Sequence, residues 1–380
     1  MSGAPSASLR LTDRQRLNWL RLIRSENVGP VSFRTLINRY GSAEAALDAL
    51  PELALRGGAA RRIRIASQAD AEAEILSAQR HGANFVAIGE SDYPPMLRMM
   101  DAPPPLLAVK GNAATFTLPS VAIVGARNAS IAGMQFTRII ANTLGHEGFA
   151  VVSGLARGID ATAHQASLDT GTIAVLAGGL DRPYPPENIA LCGQIAERGA
   201  LISEMPFGWE PRAKDFPRRN RLVAGLALGL VVVEAAKRSG SLISARLANE
   251  MGRLVFAVPG SPLDPRAAGA NQLLKDGALM VTEAADILDA LTPLAAQTRG
   301  ERDILLAEDC PGDEGIVVPS AQSDTERLIE ALGPTPIQLD DVIRHTGLHP
   351  SQVFSILLEL DLAGRLERHV GGSVSLVPNA

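Results

Sequence analysis

The chain has 380 residues, a formal net charge of −5 and 46% hydrophobic residues. That length accommodates two or three domains with a sizeable core, and the mildly acidic balance excludes a global field for polyanions, so any nucleic-acid site has to be a local basic patch. Cys192 and Cys310 make neither a disulfide framework nor a metal set; with no apolar signal segment and no uncharged run long enough to span a bilayer, the expected place is the cytoplasm, away from membrane.

Residues 1–10 read as a disordered tail. Residues 11–82 read as a small helical domain of the SAM or helix–hairpin–helix kind. Leu17, Leu20 and Ile23 keep helical spacing up to a break at Asn27-Val28-Gly29-Pro30, and Phe33, Leu36, Ile37 and Tyr40 resume it. Such a hairpin can hold a DNA phosphate on backbone N–H groups. With one glycine, and with Pro30 lacking a donor, a plain helical cap is the preferred reading. Residues 59–81 read as a further helix.

Residues 83–294 have the rhythm of an α/β fold, a Rossmann-like, doubly wound and mostly parallel sheet. After a strand at 84–88, a proline-rich linker (Tyr93-Pro94, Pro103-Pro104-Pro105) and a strand at 106–109, short apolar runs recur at 121–124, 150–152, 173–176, 200–203, 229–233 and 254–258. They are apolar on both faces, as in a sheet covered by helices on both sides, and helical periodicity falls near 187–198, 217–226 and 241–252. Residues 295–323 lack a periodic apolar face and read as a linker. Residues 324–380 follow the winged-helix order, with helices at 325–332, after 337 and at 351–363, then a hairpin at Gly371-Gly372. The 351–363 helix has Glu359 and Asp361 and no basic residue, a poor composition for gripping duplex DNA.

Four stretches carry possible chemistry. Gly125-Ala126-Arg127 follows a strand like a dinucleotide fingerprint, but Arg127 stands where the second glycine belongs. That blocks close approach of a pyrophosphate, so no cofactor is expected. In the second stretch Ser153, Gly154, Arg157 and Gly158 bracket a loop whose amides could face an anion. Asp160 reads as a brace for that loop, with His164 packed beneath it. The third runs from Trp209 to Arg221, where Arg212, Lys214, Arg218, Arg219 and Arg221 are interleaved with Trp209 and Phe216. Cations can track a phosphate backbone while aromatic faces stack bases. Fourth, Lys237-Arg238-Ser239-Gly240-Ser241 offers charge, a helix cap and a glycine. The histidines lack metal-ligand spacing, so no metal and no catalytic residue are expected.

With these motifs in order, the chain resembles the bacterial DNA processing protein A family (DprA/Smf). Ala122-Ile123-Val124-Gly125-Ala126-Arg127, the 153–160 loop with His164, Tyr184-Pro185, Phe216-Pro217-Arg218-Arg219-Asn220-Arg221, Glu234 with Ser239-Gly240-Ser241, and Pro259-Gly260 carry the resemblance. Ala126 and Ser244 stand where many relatives are expected to have serine and threonine. The resemblance implies a non-enzymatic protein that binds and shields single-stranded DNA, loads the RecA recombinase during natural transformation, and works as a homodimer through the Rossmann-like domain. It implies a DNA groove made by Gly125, Arg127, Ser153, Gly154, Arg157, Gly158, Lys214, Phe216, Arg218, Arg219, Asn220, Arg221, Ser239 and Gly240. The competing expectation is a nucleotide phosphoribohydrolase-type enzyme using Glu234 and Arg127; its Pro-Gly-Gly-x-Gly-Thr motif is missing, and Lys237-Arg238-Ser239-Gly240 stands there.

Overall fold

A computed structural model of the chain describes residues 10–298, 322–369 and 371–377. Four helices open it: α1 (Asp13–Arg24), α2 (Pro30–Tyr40), α3 (Ala43–Arg56) and α4 (Gln68–Arg80). Local chemistry sets their ends. Thr12 and Gln15 form a capping box on α1, and α2 stops at Gly41, whose φ of +74° suits glycine. Residues 59–67, expected as the start of a helix, are irregular. Gly57-Gly58 break the helical run, and the segment instead bonds back to the α1–α2 turn, through Glu26 N to Arg64 O (2.9 Å) and Ala66 N to Ser25 Oγ (3.1 Å).

The central part runs β1 (Ala83–Ala87), α5 (Pro95–Arg98), β2 (Leu106–Gly111), β3 (Ser120–Val124), α6 (Ile131–His146), β4 (Ala150–Ser153), α7 (Ile159–Ala166), β5 (Thr172–Val175), α8 (Ile189–Arg198), β6 (Ala200–Ser203), α9 (Asp215–Leu226), β7 (Gly229–Val232), α10 (Gly240–Glu250), β8 (Leu254–Ala257), α11 (Ala268–Lys275), β9 (Leu279–Met280) and α12 (Ala285–Thr298). Among the described residues these strands form one nine-stranded sheet, ordered β1-β2-β6-β5-β4-β3-β7-β8-β9, in which β2 runs antiparallel to both its neighbours, β1 and β6, and the other pairs are parallel. Strands β3 to β7 are buried along their whole length because helices cover both faces. Val121, Ile123, Val151, Val231 and Phe256 meet Ile140, Leu144, Ile159, Ile287 and Leu291 in one core. The proline-rich stretch before β2 is no linker. Tyr93 is fully buried, its hydroxyl donates to the Pro104 carbonyl (2.8 Å), and Leu97 and Met100 fill the space over Gly225.

The C-terminal part has α13 (Gln322–Ala331), β10 (Ile337–Gln338), α14 (Leu339–Thr346), α15 (Pro350–Leu362), β11 (Leu366–Arg368) and β12 (Ser373–Leu376), the winged-helix order. Strands β10 and β11 flank β12, and Leu328, Val342, Val353, Ile356, Leu357, Leu360 and Val374 form the core. The expected tail lies outside the described residues up to residue 9, and the expected linker lies outside them from 299 to 321.

The chain divides into two compact units: among the described residues, 10 with 74–298 form one, and 11–73 with 322–377 form the other. The first and last segments of the sequence therefore share a unit. No helix among the described residues is long and apolar enough to cross a membrane.

Candidate nucleic-acid interface

Strand order reverses between β3 and β7, and open α/β sheets present ligands at the strand C-termini beside such a reversal. The β3–α6 and β4–α7 turns lie side by side there. A Cβ on Gly125 would stand 2.6 Å from the Ile159 side chain; one on Gly158, at φ +72°, would overlap the Ala126 carbonyl. Ile159 N donates to that same carbonyl (3.3 Å). Glycine at 125 and 158 thus joins the two turns into one rim. Leu155, buried at φ +57°, is a strained position, held by Asn188 Nδ2 donating to its carbonyl (2.9 Å).

Beneath the rim is a charged floor. Asp160 accepts from Gly154 N (3.2 Å) and Ala156 N (3.3 Å). These amides, expected to face an outside anion, are used by the protein's own carboxylate. Arg219 is 6% exposed; its Nη1 donates to the Gly154 carbonyl and to Val175 O (2.7 Å). A Cβ on Gly154 would strike the guanidinium. Burial pushes the Asp160 carboxyl above its ordinary range, with Arg219 opposing. Burial draws Arg219 down to about 10, with Asp160 opposing. His164 is wholly buried, its Nδ1 2.7 Å from Thr172 Oγ1, and burial followed by the Arg219 charge lowers it to about 3.

Above the floor is a small cleft, about 290 Å³ with the solvent at its mouth, lined by Arg127, Arg157, Arg219, Tyr184, Phe216 and the Gly154 turn. Three arginines and no acid line it. The exposed Arg127 lies 5.3 Å from the Phe216 ring centre in a cation–π contact, and Tyr184, 47% exposed, meets Phe216 edge-on at 5.7 Å. Arg157 is exposed, 3.7 Å from Glu187, a pair that water screens.

The remaining expected site residues divide by environment. Lys214 is exposed at the α9 N-terminus. Arg218 and Arg221 both bind the buried Glu204, Arg218 Nε at 2.8 Å, and Arg221 also donates to Ala102 O (2.8 Å). Asn220 Nδ2 reaches the Gly240 carbonyl at 3.4 Å, Ser239 caps α10, and the buried Ser153 hydroxyl donates to Ile123 O (2.6 Å). Phe207 packs against His81 and Phe85, while Trp209 Nε1 donates to Asp215 (2.9 Å) under the Arg212 guanidinium. Of the aromatics in and around the basic stretch, Phe216 lines the cleft. Tyr184 was missing from the expected set, although the Tyr184-Pro185 motif marked its loop. The phase of α9 could have separated Arg219 from its neighbours, since it shares a buried stripe with Asp215, Leu222, Val223 and Leu226.

Glu234, the acid of the enzyme reading, is taken up locally. It accepts from Ser130 N (2.9 Å) and Ser130 Oγ (2.5 Å), and a Cβ on Gly133 would stand 2.7 Å from its carboxyl. It braces the start of α6. Among the described residues no His, Cys, Asp or Glu group is arranged to hold a metal ion.

Comparison with known proteins agrees with this layout. The family described as DNA recombination-mediator protein A matches residues 84–292, a DprA-like N-terminal HHH domain matches 13–77, and a DprA winged helix domain matches 318–372. Protein Smf of Synechocystis is 32% identical over 95% of this chain and 98% of its own length; Protein Smf of Escherichia coli K12 is 35% identical over 80% of each. The X-ray structure of DNA processing protein A from Streptococcus pneumoniae superposes with a TM-score of 0.61 at 34% identity, covering 74% of this chain and 98% of that one. A Helicobacter pylori DNA processing protein A, whose structure is described as giving insight into its single-stranded DNA binding mode, superposes at 0.52 with 29% identity over 56% of this chain and 96% of its own. By its sheet, its rim and these matches, the chain belongs to the DNA recombination-mediator protein A (DprA/Smf) family.

Proposed function

We propose that the chain binds single-stranded DNA in the rim cleft and acts without catalysis. The observation that carries this is the Arg127–Phe216–Tyr184 group: an exposed cation on the face of one ring and a second ring edge-on to it, over a floor free of acids at its surface. A base stacks on such a ring while the flanking arginines meet its phosphates. The similarity to the Helicobacter pylori protein supports the same ligand. Loading of RecA onto the strand, protection of incoming DNA in the cytoplasm, and homodimerisation complete the reading by family membership. Pairing through the Rossmann-like sheet is supported by its last strand, β9, where Leu279 and Met280 are 43% and 56% exposed.

The test is a mobility-shift titration with an unlabelled-competitor control. Phe216→Ala is expected to weaken oligo-dT binding by about 1–3 kcal/mol, the value of one stacked base. Undiminished affinity would remove the cleft from the reading. Release of free base from nucleoside monophosphates, expected to be nil, checks the phosphoribohydrolase alternative.

A further inference from the structure

Two elements of this chain have shapes that other proteins use on duplex DNA, and they face each other. The third helix of a winged helix enters the major groove, and the turn of a helical hairpin offers amides to phosphate. Here α15 packs against α3 and α2. Its core stripe, Val353, Ile356, Leu357 and Leu360, is covered by the winged helix itself. Leu358 and Leu362 lie outside that cluster and are nonetheless fully buried, and Glu359 is 5% exposed. Buried on two sides along its C-terminal half, the helix leaves Phe354, 46% exposed, and its uncharged neighbours Ser351, Gln352 and Ser355 at the surface, a face with no cation for phosphate.

The contact is built to close tolerance. A Cβ on Gly57 would overlap the Glu359 carbonyl, and Arg365 Nη1 donates to the Gly57 carbonyl (3.2 Å). Asn27, at φ +61° in the hairpin turn, donates through Nδ2 to Leu362 O (3.0 Å), at the open C-terminal end of α15. The Ser32 hydroxyl, which donates to the Gly29 carbonyl (3.3 Å), lies beside the Asp361 carboxyl. Four of the turn's amides are spent within the protein as well: Ser25 N on Leu22 O, Glu26 N on Arg64 O, Val28 N on Ser25 O and Gly29 N on Ser32 Oγ.

We infer that the winged helix is a protein-binding clasp whose partner is the N-terminal hairpin of the same chain. The clasp withdraws both duplex-type readers from DNA, leaving the rim cleft as the nucleic-acid surface. It sets Glu359, an acid that would repel phosphate, under the charges of Arg56 and Arg39 on the N-terminal helices, while Asp361 is held within the winged helix by Arg368 Nε (3.0 Å).

The test pairs Ser32→Cys with Asp361→Cys in a Cys192→Ser, Cys310→Ser background, bridged by oxidation or a short bifunctional thiol reagent. The expected product is a bridge within one chain that persists on dilution and leaves oligo-dT affinity within about twofold, with no duplex binding before or after bridging. A bridge only between two chains, or none, overturns the clasp. So does duplex binding that the bridge abolishes. If the cysteine pair does not fold, hydrogen exchange of the intact chain against Gly57→Leu decides: amides of 357–363 are expected to exchange at least about tenfold faster in the variant. Equal rates overturn the inference. Neither bridging nor exchange involves DNA, so failure of the cleft reading would leave this result standing.

Discussion

The rim and the floor of the cleft use the same side chain in opposite ways. Arg127, on the rim, keeps its charge in solvent and rests on Phe216. Arg219, on the floor, is buried against Asp160 and two carbonyls under the Gly154 turn. Burial of a guanidinium is tolerable only with such partners, and once it has them it holds backbone in place rather than ligand. Charge at a binding site is thus divided into a part that shapes the surface and a part that the surface presents, and only the second answers to salt.

The largest expected effect comes from breaking the floor. Arg219→Met removes the cation beside Asp160 and should cost about 3–5 kcal/mol. The urea midpoint would fall with an unchanged slope, and DNA binding would be lost along with the fold. A variant with wild-type stability and selectively lost binding would put Arg219 back among the ligands.

An effect spread over several pH units follows from His164, held neutral down to about 3 against an ordinary 6.5. Between these values the unfolded chain carries the extra proton. Stability therefore falls as pH drops from about 6.5 towards 3, by up to about 1.4 kcal/mol per pH unit. Urea titrations across that window should show a shallower dependence in His164→Gln; identical dependences would show that this histidine is not the group.

The rim should respond least in stability. Arg127→Ala is expected to change folding by no more than about 0.5 kcal/mol. It should weaken oligo-dT binding and reduce the slope of log affinity against log salt by about 0.7, one single-strand phosphate contact. An unchanged slope would mean that Arg127 meets a base or nothing.

Much of this division is latent in the residues. Strands buried on both faces announce themselves as short β-branched runs, which is why β3 to β8 fall within a residue or two of their expected positions. Arginine burial is harder to see. Arg218, Arg219 and Arg221 are chemically alike, and only their phase on α9 distinguishes a floor residue from partners of Glu204. Similarly, Tyr93 and the prolines before β2 look like a spacer until the buried hydroxyl and its carbonyl are found together. The meeting of α3 with α15 joins segments some three hundred residues apart through a glycine and a carbonyl, neither of which has a distinctive pattern.

Gly158 has a kinetic consequence. Because the two turns interlock through it, the rim has no loose loop to settle when a strand arrives. A preformed surface leaves the ordering to the ligand, and encounter is then governed by attraction between the arginines and the strand. Stopped-flow association should slow steeply with ionic strength, with a single phase and no concentration-independent step.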